Sequence, residues 1–203
     1  MAADPRVPEG RSSLATRTLM GLEDVCRRLA CRPDETWVTA RIDCAAVDTP
    51  ALKELAAKRH DDFVDALREI VNIDSGSYSP DGVSRVADAC EARFRERGWA
   101  VERLSHRPGA GERQLGDLVI GRLAGGGGPR ILLIGHTDTV FDDGTTAERP
   151  FSIEGDRAYG PGVSDMKGGL LLAFFAVEVL QEAGFDGFAR ITYVCNPDEE
   201  IGS

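Results

Sequence analysis

"MKGGLLLAFFAVEVLQEAG" (166–184) lies between "RILLIGH" (130–136) and "FARITYVCN" (188–196), and the order of these three stretches decides the fold. The middle stretch is long, strongly apolar and followed by Gly184, the pattern of a helix with a glycine stop. The outer two are short apolar runs that read as buried strands. Strand, helix, strand in that order is a βαβ unit. The expected fold is therefore α/β, a mixed, largely parallel sheet flanked by helices, with ligands outside the carboxyl ends of the strands.

Working outward, "TPALKELAAKRHDDFVDALREIVNI" (49–73) spaces Leu52, Leu55, Phe63, Leu67, Ile70 and Val71 at three- and four-residue steps, which predicts an amphipathic helix. "DSGSYSPDG" (74–82) breaks it with turn formers, and "VSRVADACEARFRERG" (83–98) resumes helical spacing through Val83, Val86, Cys90 and Phe94. "WAVERL" (99–104) and "LGDLVIGRL" (115–123) are further strand candidates. "PFSIEGDRAYGPG" (150–162) reads as a hairpin around its "EGD" turn. "AGGGGP" (124–129) reads as a flexible hairpin loop joining "LGDLVIGRL" to "RILLIGH"; a phosphate loop would need a following Lys-Ser or Lys-Thr and a helix, and a strand comes next.

The first 50 residues alternate Pro, Arg, Asp and Thr with short apolar clusters, and only "LMGLEDVCRRLA" (19–30) has helical spacing. They are expected to be an extension of unknown role, with residues 51–203 forming the recognisable domain. In a chain of 203 residues, 42% hydrophobic content supports a real core. The 24 Lys+Arg against 34 Asp+Glu leave a formal charge of -10, which opposes a general grip on nucleic-acid phosphates and favours cations as ligands. No apolar run approaches membrane-spanning length and no leader pattern opens the chain, so a cytoplasmic, membrane-free setting is the expectation. Five cysteines (Cys26, Cys31, Cys44, Cys90, Cys195) form no CxxC pair and read as reduced and structural.

Three polar clusters fall at the ends of these elements: "GHTDTV" (135–140), "GPGVSDMKGG" (160–169) and "NPDEE" (196–200). His136 alone at a strand end is usually a hydrogen-bonded structural histidine, but Asp138, two residues on, can accept its second ring N–H as a histidine ligand requires. Asp165 reads equally as a helix N-cap or as a carboxylate that the surrounding glycines bring close to a site. Lys167 reads as a solvated residue at a helix start. Asp198, Glu199 and Glu200 would repel one another at the end of a core strand unless something positive neutralises them. One His, a separate Asp and a Glu pair make a nitrogen and oxygen donor set suited to zinc. Two metals about 3.5–4 Å apart would activate a shared water for hydrolysis.

"GHTDTV", "PFSIEGDRAYGPGVSDMKGG" and "NPDEEIGS", in this order and spacing, resemble the zinc-dependent exopeptidase and deacylase family that includes glutamate carboxypeptidase, acetylornithine deacetylase, succinyl-diaminopimelate desuccinylase and aminoacylase. The resemblance covers roughly residues 55 to 203, and "RPFSIEGDRAYGPG" (149–162) leans toward the glutamate carboxypeptidase branch. It implies a dinuclear-zinc exopeptidase-like fold, with cobalt or manganese as substitute ions. His136 would be a ligand of one zinc, Asp165 the bridging carboxylate and Glu200 a ligand of the second. Asp138 would steady His136, Glu199 would be the general base, and the bond from Asp165 to Met166 would be cis. The substrate would be a small peptide or an N-acyl amino acid.

The family pattern also has a further acidic ligand, a distal histidine and a lid or dimerisation domain, which this stretch does not include. The resemblance therefore implies the N-terminal part of a longer, homodimeric enzyme, inactive alone. His60 and His106 do not match the distal histidine and are expected at the surface. Two rivals remain: a non-catalytic zinc-binding or regulatory homologue of this fold, and another metal hydrolase, such as an amidohydrolase or deaminase. The latter would require HxH, or HxE with PCxxC, and neither occurs.

Overall fold

The computed structural model describes residues 48–202, so the expected helix at 19–30 and three of the cysteines lie outside the described residues. The stretch expected to be one helix is two: α1 (Thr49–Lys58) and α2 (His60–Val71), broken at Arg59. Asp48 caps α1 through its carboxylate on Ala51 N at 3.2 Å, yet α1 fully buries no side chain. α2, by contrast, buries Leu67, Ile70 and Val71. Arg59, at the break, reaches Glu182 at 2.8 Å.

α3 (Pro80–Glu96) starts with proline in its first turn, where the missing N–H costs nothing. It buries Val83, Val86, Ala87, Cys90 and Phe94. Then come β1 (Ala100–Leu104), β2 (Leu118–Ala124), β3 (Arg130–His136), a single-turn α4 (Thr145–Glu148), and the hairpin of β4 (Ser152–Glu154) and β5 (Arg157–Tyr159). An irregular turn, Val163–Lys167, leads into α5 (Gly168–Glu182), followed by β6 (Arg190–Asn196) and a short turn, Glu199–Ile201.

The main sheet has the order β1-β2-β6-β3. β3 and β6 pair in parallel around α5, the βαβ unit expected from the sequence, while β1/β2 and β2/β6 are antiparallel. The sheet is mixed, with a smaller parallel share among the described residues than the pattern implied. The hairpin at 150–162 is found as expected, Ser152 opposite Tyr159.

The glycine run does not join a hairpin. β6 lies between β2 and β3, so residues 124–129 cross the start of β6. Nor is the run loose: Gly125, Gly126 and Gly127 donate their backbone N–H groups to the carbonyls of Ala189 (3.2 Å), Asp186 (2.9 Å) and Phe188 (3.1 Å). A Cβ at Gly125 would collide with the Phe188 carbonyl, so this backbone approach requires glycine.

The core fills the face between the sheet and the helices α3 and α5. Phe94, Phe174 and Tyr193 meet there, Phe174 lying 4.6 Å from Phe94 and 4.9 Å from Tyr193 between ring centroids. Each such ring contributes about 1.5–3 kcal/mol through burial. Gly121 leaves the space that the Phe94 ring fills. Tyr193 donates its hydroxyl to Leu170 O at 2.9 Å, so the buried phenol is satisfied. Cys90 and Cys195 are buried free thiols, as expected. Among the described residues no helix is long and apolar enough to cross a membrane.

Candidate metal centre

β3 and β6 end side by side, with His136 opposite Asn196 in the parallel register. Beyond that point the chains stay tied, because Thr137 donates both its N–H (2.8 Å) and its hydroxyl (3.1 Å) to Asn196 O. His136 and the 196–200 segment are thereby delivered to one end of the sheet. Asp165 arrives there from the turn before α5, and its peptide bond to Met166 is cis, as the resemblance implied.

One nitrogen of His136 and one carboxylate oxygen each from Asp165 and Glu200 all lie within 4.8 Å of one another. His136 Nε2 is 3.1 Å from Asp165 Oδ1 and 3.9 Å from Glu199 Oε2. Its Nδ1 faces two acceptors, the Asp138 carbonyl at 3.0 Å and Asp138 Oδ1 at 3.2 Å. Nδ1 therefore carries the proton, and in the neutral ring the Nε2 lone pair points toward the carboxylates. Asp165 does not cap α5, which has no side-chain cap.

Asp138 is fully buried and collects four donors. Besides His136 it accepts the Ser77 hydroxyl at 2.6 Å and the backbone N–H groups of Glu199 and Glu200, each at 3.2 Å. Burial alone would raise its pKa, but the bonds from His136, Ser77 and Glu200 N–H hold it below the usual carboxylate value. For His136 burial again acts against the charged form. The Asp138 and Asp165 bonds overcome it and push the imidazole up to about 9. The pKa of the Glu200 carboxyl is also raised: burial is the main cause, opposed by the attraction of His136 and supported by the nearby carboxylates of Asp165, Asp138 and Glu199. The donor set, one imidazole nitrogen and two carboxylate oxygens, fits a divalent metal such as zinc.

Lys167 is not the solvated residue expected at a helix start. It is fully buried, its Nζ donates to Ile73 O at 2.7 Å, and burial pulls its pKa down to about 8 against the attraction of Asp74. His60 is exposed as expected; His106 is half-buried, its Nδ1 accepting from Leu115 N at 3.2 Å. Ser77, read only as a turn former, is a partner of the site that the sequence pattern does not mark. A cavity of about 300 Å³ opens beside Glu200, lined by Ser77, Tyr78, Val140, Phe141 and Asp142 among others.

Residues 132–203 match the model of "Peptidase family M20/M25/M40". Over 140 residues the chain is 37% identical to Carboxypeptidase G2 of Pseudomonas sp. (strain RS-16), an alignment covering 69% of this chain and 33% of that protein. It is 35% identical over 113 residues to Acetylornithine deacetylase of Erwinia tasmaniensis, covering 53% and 27%. The crystal structure of human carnosine dipeptidase 1 superposes with a TM-score of 0.65 at 19% identity, covering 73% of this chain and 34% of that one, a likeness of fold. The chain thus spans about a third of the length of these proteins or less.

Proposed function

We propose that the chain belongs to Peptidase family M20/M25/M40, whose model matches residues 132–203, and that the whole protein is a metal-dependent hydrolase of amide bonds in peptides or N-acyl amino acids. The observation that carries this is the convergence of His136, Asp165 and Glu200 within 4.8 Å at the strand ends. These three would hold zinc, Asp165 shared between two ions. When bound, the ions supply Lewis acidity that lowers the pKa of water and draws charge from a substrate carbonyl.

The chain's own residues set the rest. Asp138 fixes the tautomer and plane of His136 and anchors the backbone of Glu199 and Glu200. Glu199, whose side chain is 59% exposed, faces the open side of the cluster and takes the role of general base: its carboxylate accepts the proton from water and returns it to the leaving amine. The neighbouring cavity pairs apolar Val140 and Phe141 with acidic Asp142, Asp143 and Glu200. A carboxylate is unwelcome there, so the cavity suits the acyl side of the scissile bond.

The finer reading is a carboxypeptidase of the glutamate carboxypeptidase type, supported by the similarity to Carboxypeptidase G2. The three donors found among the described residues leave a two-ion centre incomplete, so turnover is assigned to a chain carrying the remaining ligands; the 203 residues alone would bind zinc weakly. Residues 51–203 as the N-terminal part of the catalytic domain, 1–50 as an extension, a cytoplasmic setting and a homodimer through a lid belong to the same reading. The test is zinc content and hydrolysis by the longer protein of C-terminal glutamyl, N-acyl and dipeptide amides, with and without chelator. Chelator-insensitive hydrolysis, or zinc binding that survives His136→Ala, overturns the reading.

A further inference from the structure

The candidate centre has two arms. One is the group of His136, Asp138, Glu199 and Glu200, bound together by the Asp138 carboxylate. The other is the turn carrying Asp165, closed on itself by Lys167 N–H on Gly162 O at 2.9 Å. The donors of the two arms meet through His136 and Asp165, but that contact would be replaced by an ion and cannot set the spacing the ion requires.

A third segment touches both arms. Residues 73–77 lie against "HTDTV": Ser77 N–H donates to Thr139 O at 3.2 Å, Thr139 N–H donates to Ser75 O at 2.8 Å, and Gly76 bridges Thr139 in parallel. A Cβ at Gly76 would collide with the Phe141 carbonyl, so the backbones are in direct contact. From this segment the Ser77 hydroxyl, itself buried, bonds Asp138 Oδ2 at 2.6 Å. Four residues earlier, Ile73 O accepts Lys167 Nζ at 2.7 Å, two residues from Asp165. A fully buried ammonium is costly unless it is bonded. Methionine would fill the same space without that cost, so the lysine is explained by the bond it makes.

We propose that the 73–77 segment is a clamp that sets the spacing of the two arms, with Ser77 and Lys167 as positioning residues acting through Asp138 and the Asp165 turn. This rests on the metal-centre reading above. Neither residue is one of the three donors; Ser77 acts on them through Asp138, and Lys167 through the turn that carries Asp165.

The test uses the longer protein with Co2+ alone, reading affinity by chelator competition and coordination by the visible ligand-field spectrum. Thermal unfolding in chelator serves as the control for folding. Ser77→Ala is expected to weaken Co2+ at least about 10-fold and to change the spectrum while the metal-free melting curve stays close to that of the parent; Ser77→Thr should recover both. Lys167→Met should likewise weaken Co2+, and the double variant should lose less than the product of the two singles. If Lys167→Met fails to fold, the Ser77 pair decides. Unchanged affinity and spectrum in Ser77→Ala, or a loss that Ser77→Thr does not recover, overturns the clamp. Parent protein that takes up no Co2+, or His136→Ala that binds it undiminished, overturns instead the metal centre itself.

Discussion

Asp138 Oδ2 lies 3.2 Å from the backbone nitrogen of Glu200, so one buried carboxylate orients the histidine and also holds the backbone of a carboxylate donor. In Asp138→Asn, the amide must turn an NH2 toward at least one of the donors that Asp138 now accepts. Zinc affinity should fall about 10–100-fold, measured by chelator competition at fixed pH. Affinity equal to the parent's would show that the carboxylate charge is dispensable for holding the site.

Glu199 and Glu200 are neighbours, but only Glu200 joins the donor cluster, and the proposed function gives Glu199 the role of base. In the longer protein, Glu199→Gln should leave zinc content nearly unchanged and lower kcat by about 10²–10⁴-fold. Turnover close to the parent's would remove Glu199 from the role of base.

Asp74 accepts the backbone N–H groups of Gly144 (2.8 Å) and Thr146 (2.9 Å) at the start of α4. Burial raises its pKa, but these bonds and the attraction of Lys167 hold it below the ordinary aspartate value. A depressed folded-state pKa contributes stability that is present above the unfolded value and lost as pH falls through the folded one. Asp74→Ala should therefore cost about 1–2 kcal/mol at neutral pH. The gap to the parent should close below about pH 4, read from urea midpoints across pH. A gap that persists unchanged into acid would mean the carboxylate charge plays no part.

Gly125 has no positive φ, so the cost of Gly125→Ala would be steric alone. The new methyl group meets the Phe188 carbonyl and should destabilise by about 1–3 kcal/mol, lowering Tm by roughly 2–4 °C per kcal/mol. An unaltered Tm would show that the crossing is as loose as its composition implies.

The βαβ unit was legible because each of its three segments carries its own signal: two apolar runs, and a 15-residue helix followed by Gly184. The meeting of His136 and Glu200 was legible for a related reason, since residues at the ends of neighbouring parallel strands converge by topology, whereas Asp165, in the turn before α5, was marked by the family motif. The strand order was not legible, because periodicity reports what a segment is and not which segment it pairs with. Nothing in "AGGGGP" says that β6 will enter between its flanking strands. Lys167 and Ser77 escaped for a different reason. A lysine at a helix start and a serine in a turn are ordinary on the surface, and only the three-dimensional path of 73–77 buries both. The split at Arg59 was hidden because helical spacing continues across it on both sides.

The place of β6 bears on how the molecule assembles. β2 and β3 are not neighbours in the sheet, so both wait for β6, the latest of the six strands among the described residues, to join them. Pairing at such sequence distance is slow to form. His136 and Glu200 sit on opposite sides of that final seam and become neighbours only when it closes. An ion held by them binds the closed sheet and not the open one, and so stabilises the finished molecule by mass action. The metal would then act as an inspector of folding before it takes part in any reaction.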